Sequence, residues 1–436
     1  MTSSGLFLLA LALLAYAAVS ARAARSVVTA PMVFTALGMA VGGAGLGLMD
    51  LAVSDAFLNR LAEITLALIL FTDASSIDPR RITRQHGLPI RLLGLGLPLS
   101  IAAGFALALV VLPGLTIQAA LLLAIALAPT DAALGQAVVS NKAVPPRIRQ
   151  ALSVESGLND GLAYPTLIIV ATFAGAAGNG GSVSGHMFFA AGQIVLGPLV
   201  GVTVGIAGAA LLGRTLAAAW TSDTFLKLGS VALALLAYAG AESVGGNGFL
   251  AAFACGMTMG ARSVPLRRAA GDFAEAESQF LELTVFVLFG AALVPAILAE
   301  TDSRLVDAFG WRDLLYAVLS LTVVRMVPVA LSLVGAGLRP ATVGFLGWFG
   351  PRGMASIIYL LILIDDYGLP ASAEIAPVVV LTILLSILAH GVTGAPLARG
   401  YGRAAARWTD APETEPMPGL NADGALPRRG DASSRG

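Results

Sequence analysis

The feature that most constrains this chain is a succession of apolar runs, each near the length needed to cross a hydrocarbon core of about 30 Å. Thirteen can be marked. They lie near Gly5–Ser20, Val27–Met49, Phe57–Asp73, Pro89–Leu112, Leu115–Ser140, Ile148–Phe173, Met187–Leu212, Asp223–Ala241, Gly246–Met259, Phe273–Leu298, Leu314–Val334, Thr342–Ile364 and Ile375–Ala395. Backbone in lipid must satisfy its own hydrogen bonds, so runs of this length are read as helices. The composition agrees: 57% of residues are hydrophobic and 12% charged, against about 45–50% and about 25% in soluble domains. Those values exclude a soluble enzyme and a disordered chain, and alternating barrel strands would dilute the apolar signal. The net charge of zero leaves no footprint for nucleic acid. The single cysteine, Cys255, excludes an internal disulfide and a cysteine-built metal site. The chain is read as an all-α polytopic membrane protein. Gly5–Ser20 lacks the basic flank of a signal peptide and counts as span 1.

Lys and Arg mark the cytoplasmic side of a membrane protein. With thirteen spans, 21 of them fall on the side that holds the C-terminus, and only Arg60, Arg304 and Arg312 on the other. The expected topology has the N-terminus outside and the C-terminus cytoplasmic. Residues 1–407 form one transmembrane domain. Residues 408–436 are Pro-, Gly-, Asp- and Arg-rich and read as a short disordered tail.

Charge inside the bilayer is costly and points to function. Pro129 interrupts span 5 just before Thr130 and Asp131, and proline breaks a helix. Where span 5 simply stops at Ala128, the remainder is about 21 Å long at 1.5 Å per residue, too short to cross. Span 6 carries Glu155-Ser156-Gly157-Leu158-Asn159-Asp160, in which Ser156 and Asp160 share one helix face, as do Glu155 and Asn159. The alternative is that Asn159 and Asp160 cap a helix beginning at Gly161. Counted from the basic cluster Arg147 and Arg149, Asp160 lies about 15–18 Å deep. Arg325 and Arg352 lie within spans 11 and 12 and call for carboxylate partners, with Glu155, Asp131 and Asp160 as candidates. Two arginines against three acids leave one negative group for a cation or proton. Asp73, at the cytoplasmic end of span 3, is either a guard of the entrance or part of a solvated helix end.

Span 12 carries a second break, Gly350-Pro351-Arg352-Gly353. It lies seven spans after the first, so the two helices cross in opposite directions. Paired breaks of this kind mark the binding site of transporters built from inverted repeats. The pattern fits six plus six spans, with span 7 as linker.

Thr130-Asp131 followed by Glu155-Ser156-Gly157-Leu158-Asn159-Asp160-Gly161 resembles the paired signature of the monovalent cation:proton antiporter-1 family, the NhaP-type sodium/proton antiporters. Arg325 and Gly350-Pro351-Arg352-Gly353 are similar to that family's two intramembrane arginines. The resemblance covers spans 1–13. It implies an NhaA-like fold of thirteen helices with broken helices 5 and 12. Spans 1–3 and 8–10 would form a dimerising scaffold, and spans 4–6 and 11–13 a mobile core. It makes Asp160 the cation- and proton-binding carboxylate, with Asp131, Ser156 and Thr130 completing a sodium site. It pairs Glu155 with Arg325 and sets Asn159 beside them, with Arg352 as a further charge-compensating group. Two departures stand out. Thr72-Asp73 occupies a motif where many members carry glutamate, and Pro351 replaces a leucine.

The resulting expectation is a secondary antiporter of a bacterial inner membrane, not an enzyme. It exchanges Na+, or Li+, for H+ one for one by competition at Asp160, works as a homodimer and needs no cofactor. The rivals are a K+/H+ antiporter on the same scaffold and an organic-anion symporter of NhaA-like fold.

Overall fold

The computed structural model describes residues 3–23, 26–43, 45–48, 56–76, 87–131, 134–179, 183–300, 309–365, 370–408 and 412–414. Among these residues every regular element is helical. Each apolar run coincides with a helix or a pair of short helices. In chain order they are α1 (Ser3–Ala23), α2 (Ala30–Val41), α3 (Ala56–Ser76), α4 (Gly87–Val111), α5 (Ile117–Ala126), α6 (Gln136–Val139) and α7 (Pro146–Asn179). Then follow α8 (Val183–Ala217), α9 (Asp223–Ser243), α10 (Gly248–Arg262), α11 (Val264–Leu288), α12 (Trp311–Ser332), α13 (Pro340–Trp348), α14 (Met354–Asp365) and α15 (Pro370–Ala405). A π-helical turn at Phe289–Leu293 carries α11 on into Val294–Glu300. Six of the described helices are long and apolar enough to cross a membrane by length and composition.

Local chemistry sets the helix ends. Thr116, Ser222, Asn247 and Ser263 each accept a hydrogen bond from a first-turn N–H and so start α5, α9, α10 and α11. The Ser263 cap begins α11 nine residues ahead of the apolar run. The second run, expected from Val27 to Met49, ends its helix at Val41 because a glycine-rich stretch follows, with Gly47 at φ 65°.

Two groups of helices pack among themselves. The first joins α2, α3, α8, α9, α10 and α11; the second joins α4, α5, α12, α13, α14 and α15, while α7 touches members of both. In the first group the spacing is set by small residues. A Cβ on Gly201 of α8 would run into the backbone of Ala251 in α10, and Gly205 meets Cys255 in the same way. Such close approach favours packing between helices where lipid supplies no hydrophobic drive. The large apolar side chains that remain exposed, such as Leu14, Val110 and Leu211, suit a lipid solvent.

Candidate functional site

Span 5 stops being helical after Ala126, and Leu127–Asp131 runs non-helically. Span 12 does the same between Trp348 and Met354. The two unwound stretches lie against each other and satisfy one another's backbone. The Asp131 N–H donates to Pro351 O at 2.8 Å. The Ser356 hydroxyl donates to Ala126 O at 2.7 Å. Arg352, fully buried, donates from Nη1 to the carbonyls of Ala128 and Pro129, and its own N–H is held by Ser386 Oγ at 2.7 Å. The carboxylate partner expected for Arg352 is therefore replaced by carbonyls. Among the described residues no carboxylate comes within ion-pair distance of it. The reason is that unwinding frees carbonyl oxygens that need donors, and a guanidinium supplies several in a fixed fork.

The Asp131 carboxylate is also engaged with backbone. Its Oδ2 accepts from the Met354 N–H at 2.6 Å, at the start of α14, and its Oδ1 from the Leu134 N–H at 3.2 Å. A carboxylate at a helix N-terminus is favoured by the exposed N–H groups and the helix dipole. Gly353 makes room for it, since any side chain there would fall on the Asp131 carboxylate.

α7 runs unbroken through the span-6 motif, so Asn159 and Asp160 do not cap a helix at Gly161. Glu155 meets Arg325 of α12 in a two-pronged ion pair, with N–O distances of 2.5 and 2.9 Å. Both side chains are 3% exposed. Gly350, at the second break, leaves the space the Arg325 guanidinium fills. Asn159 turns to the other break. Its Nδ2 donates to Thr130 Oγ1 at 2.6 Å, and Thr130 Oγ1 is 3.1 Å from Ser156 Oγ. Asp160 is 5% exposed, and its Oδ1 is buried without a hydrogen-bond partner. The Tyr359 hydroxyl donates to the Asp160 main-chain carbonyl at 2.6 Å, which fixes α14 against α7.

Four of the acids expected to matter thus separate by partner. Glu155 is neutralised by Arg325, and Asp131 is held by backbone donors. Asp160 keeps a buried oxygen unbonded. Asp73 does not sit in a solvated helix end: a Cβ on Gly157 would come 3.3 Å from its Cγ, so its carboxyl group packs on α7 one turn from Asp160. Glu282 of α11 is a further acid, partly exposed and electrostatically coupled to Asp160, Asp131 and Asp73. Sequence reasoning passed it over. A glutamate nine residues inside the run that begins at Phe273 was the available signal, hidden because the acid-rich start of the run reads as a helix end.

Oxygen donors around a carboxylate suit a hard cation with few dedicated ligands. Among the described residues no cluster of three or more His, Cys, Asp and Glu has the geometry to hold a resident metal ion.

Residues 9–400 match the family described as sodium/hydrogen exchanger, transmembrane. The chain belongs to that family. A K(+)/H(+) antiporter NhaP2 of Shewanella oneidensis is 25% identical over 377 residues, which is 84% of this chain and 62% of that protein. A K(+)/H(+) antiporter NhaP of Alkalimonas amylolytica is 26% identical over similar shares. A Na(+)/H(+) antiporter of Saccharomyces cerevisiae is 35% identical over 122 residues, 27% of this chain and 12% of that protein. The chain thus spans less than two thirds of the length of these relatives. In fold it is similar to the sodium proton antiporter MjNhaP1 from Methanocaldococcus jannaschii, with a TM-score of 0.70 at 19% identity, covering 91% of this chain and 97% of that one.

Proposed function

We propose that this protein is a cation/proton antiporter that binds a monovalent cation or a proton, one at a time, at Asp160. The observation that carries the reading is the difference in partners among the intramembrane acids. Glu155 and Asp131 are engaged, and the buried Oδ1 of Asp160 is not. An unbonded buried carboxylate oxygen is costly and gains from a ligand. Thr130 and Ser156, linked to each other and to Asn159, stand ready as neutral oxygen ligands beside it. Competition for one carboxylate enforces exchange. Sites in which all the groups are satisfied would gain nothing from the cation.

The packing supports alternating access by movement of one helix group against the other, with α7 and its carboxylate travelling with the second group. Dimerisation through spans 1–3 and 8–10, residence in a bacterial inner membrane and an external N-terminus belong to the same proposal. Na+ is the first candidate for the cation. K+ is the second, favoured by the names of the relatives that match most of the chain. An organic-anion symporter would need an available cationic group, yet Arg325 is paired with Glu155 and Arg352 is bound to carbonyls.

Everted vesicles carrying a pH dye decide among these. Addition of Na+, Li+ or K+ should release trapped protons, and the ion effective at the lowest concentration is the substrate. No response to any of the three would overturn the proposal.

A further inference from the structure

The composition of residues 408–436 suggests a disordered tail, yet Trp408 and Pro412–Thr414 pack against the membrane domain. After α15 ends at Ala405 the chain turns, and the Trp408 ring lies edge-on to Tyr401, with centroids 5.7 Å apart. The Arg339 guanidinium covers the Trp408 ring at 5.1 Å. Pro412–Thr414 then forms one 3₁₀ turn. Glu413 within it is 0% exposed. Its Oε1 accepts from the Arg339 N–H at 2.8 Å and from the Thr342 hydroxyl at 2.9 Å. Thr342 is also 3.0 Å from the Tyr401 hydroxyl. Because Thr342 gives its one proton to Glu413, Tyr401 must be the donor to Thr342. Arg147 reaches the same turn, donating from Nη1 to Pro412 O at 2.5 Å.

These contacts supply something α13 lacks. Arg339, its N-cap residue, makes no capping hydrogen bond with its own side chain. Glu413, 74 residues away in sequence, brings a carboxylate to the cap N–H and to the side chain of Thr342. A negative charge at that end is favoured by the unpaired N–H groups of the first turn. Arg147 meanwhile sits at the start of α7. The turn therefore bridges the first turns of α7 and α13. α7 carries Glu155, Asn159 and Asp160. α13 ends at Trp348, directly before the unwound segment with Arg352. Ile148, Ala151 and Leu152 of α7 and Phe345 and Leu346 of α13 belong to one buried apolar cluster, which also takes in Phe349 and Tyr401.

We propose that Trp408 and the Pro412–Thr414 turn together act as a strap that sets the spacing of α7 and α13, and through it the cation affinity of the site at Asp160. The strap touches α7, α13 and α15 and fastens the two halves of the site to each other. Its Glu413 carboxylate stays ionised across the neutral range. Burial raises the Glu413 carboxyl, but the Arg339 N–H, the Thr342 hydroxyl and the Arg339 charge outweigh it and hold the group below the usual glutamate value. A depressed carboxyl stabilises above its ordinary pKa, and that contribution is lost as pH falls through the depressed value. Tyr401 and Arg147 are the other titratable groups facing the turn.

The inference rests on the antiporter reading only for its affinity arm. The structural arm uses spin labels at Lys142→Cys and Ala341→Cys in a Cys255→Ala background, with pulsed EPR distances measured in nanodiscs. Glu413→Ala, or a chain ending at Trp408, should at least double the width of the distance distribution. In proteoliposomes the same changes should raise the half-saturating cation concentration severalfold at unchanged maximal rate. Glu413→Gln, which keeps the acceptor oxygen and loses the charge, should lie between. If Glu413→Ala fails to fold, Glu413→Gln and Arg147→Gln give the same two readouts. An unaltered distance distribution would overturn the strap. A broadened distribution with unaltered half-saturation would overturn its link to the site, and absence of any transport in the parent would touch only the antiporter reading.

Discussion

Removing one partner of the Glu155–Arg325 pair should damage the fold far more than removing both. The pair is buried at 3% exposure on each side and joined through both terminal guanidinium nitrogens, Nη1 and Nη2. Breaking a buried pair by deleting one partner leaves an uncompensated charge and costs about 3–5 kcal/mol, whereas deleting both removes the charge problem altogether. Glu155→Ala should strand Arg325, whose Nε is already without a partner. Arg325→Ala should strand Glu155 among apolar neighbours. If each single change costs about 4 kcal/mol, independent losses would sum to about 8 kcal/mol. The double mutant should lose only the packing and hydrogen-bond contribution, about 2–4 kcal/mol, so the coupling energy comes to about 4–6 kcal/mol. The assay is unfolding of the four proteins by rising SDS in mixed dodecyl maltoside micelles, followed by tryptophan fluorescence. Additive losses in the double mutant would refute the claim that the pair is a self-contained neutral unit. They would also return Glu155 to the list of groups able to take up a cation.

Asp160→Asn should abolish cation-driven proton release while leaving detergent stability within about 1 kcal/mol, since an amide at that position needs no counter-charge; normal exchange by purified mutant in proteoliposomes would sink the site assignment. If Asp160 alone changes protonation, one proton crosses per monovalent cation, and a membrane potential, worth about 2.3 kcal/mol per charge per 100 mV, exerts no drive. A potassium–valinomycin diffusion potential should then leave the rate of Na+-driven pH change unaltered, and acceleration by one sign with slowing by the other would mean a second titrating group. The pH dependence has a fixed sign under competition: below the pKa of the site, half-saturating cation should rise about tenfold for each unit the pH falls, because bound protons must leave before a cation binds. Glu282→Gln removes a carboxyl group electrostatically coupled to Asp160, so if Glu282 helps draw cations to the site, half-saturating cation should increase a few-fold at low ionic strength and less at high salt; an unchanged value at both salts would show that Glu282 has no part in cation approach.

What the sequence determined and what it left open divide along one physical line. Period, hydrophobicity and breakers act within a stretch of chain, and they alone produce the helices. Apolar runs of spanning length have no alternative in lipid, and Pro129 and Pro351 mark the breaks in spans 5 and 12, although Pro165, Pro198 and Pro377 are accommodated inside continuous helices. The acids and arginines were visible for the same reason, as rare charges in apolar runs. Their partners were not. Arg352 could have met any of three acids, and it binds Ala128 and Pro129 carbonyls because the unwinding of span 5 leaves those oxygens without donors nearby. Asp131 reads as an ion ligand in the motif, yet its place at the start of α14 ties both its oxygens to backbone N–H groups. Asp73 and Gly157 lie more than eighty residues apart, and only the packing of α3 on α7 puts them in contact. Glu282 went unremarked because the acids just before it make the start of its run read as a helix end, and Glu413 because nothing local distinguishes a glutamate buried under Arg339 from a solvated one. Charge in a membrane is legible from sequence because burial makes it expensive. Which charge is cancelled, and which is left for the cation, is decided by contacts between segments that the chain order does not bring together.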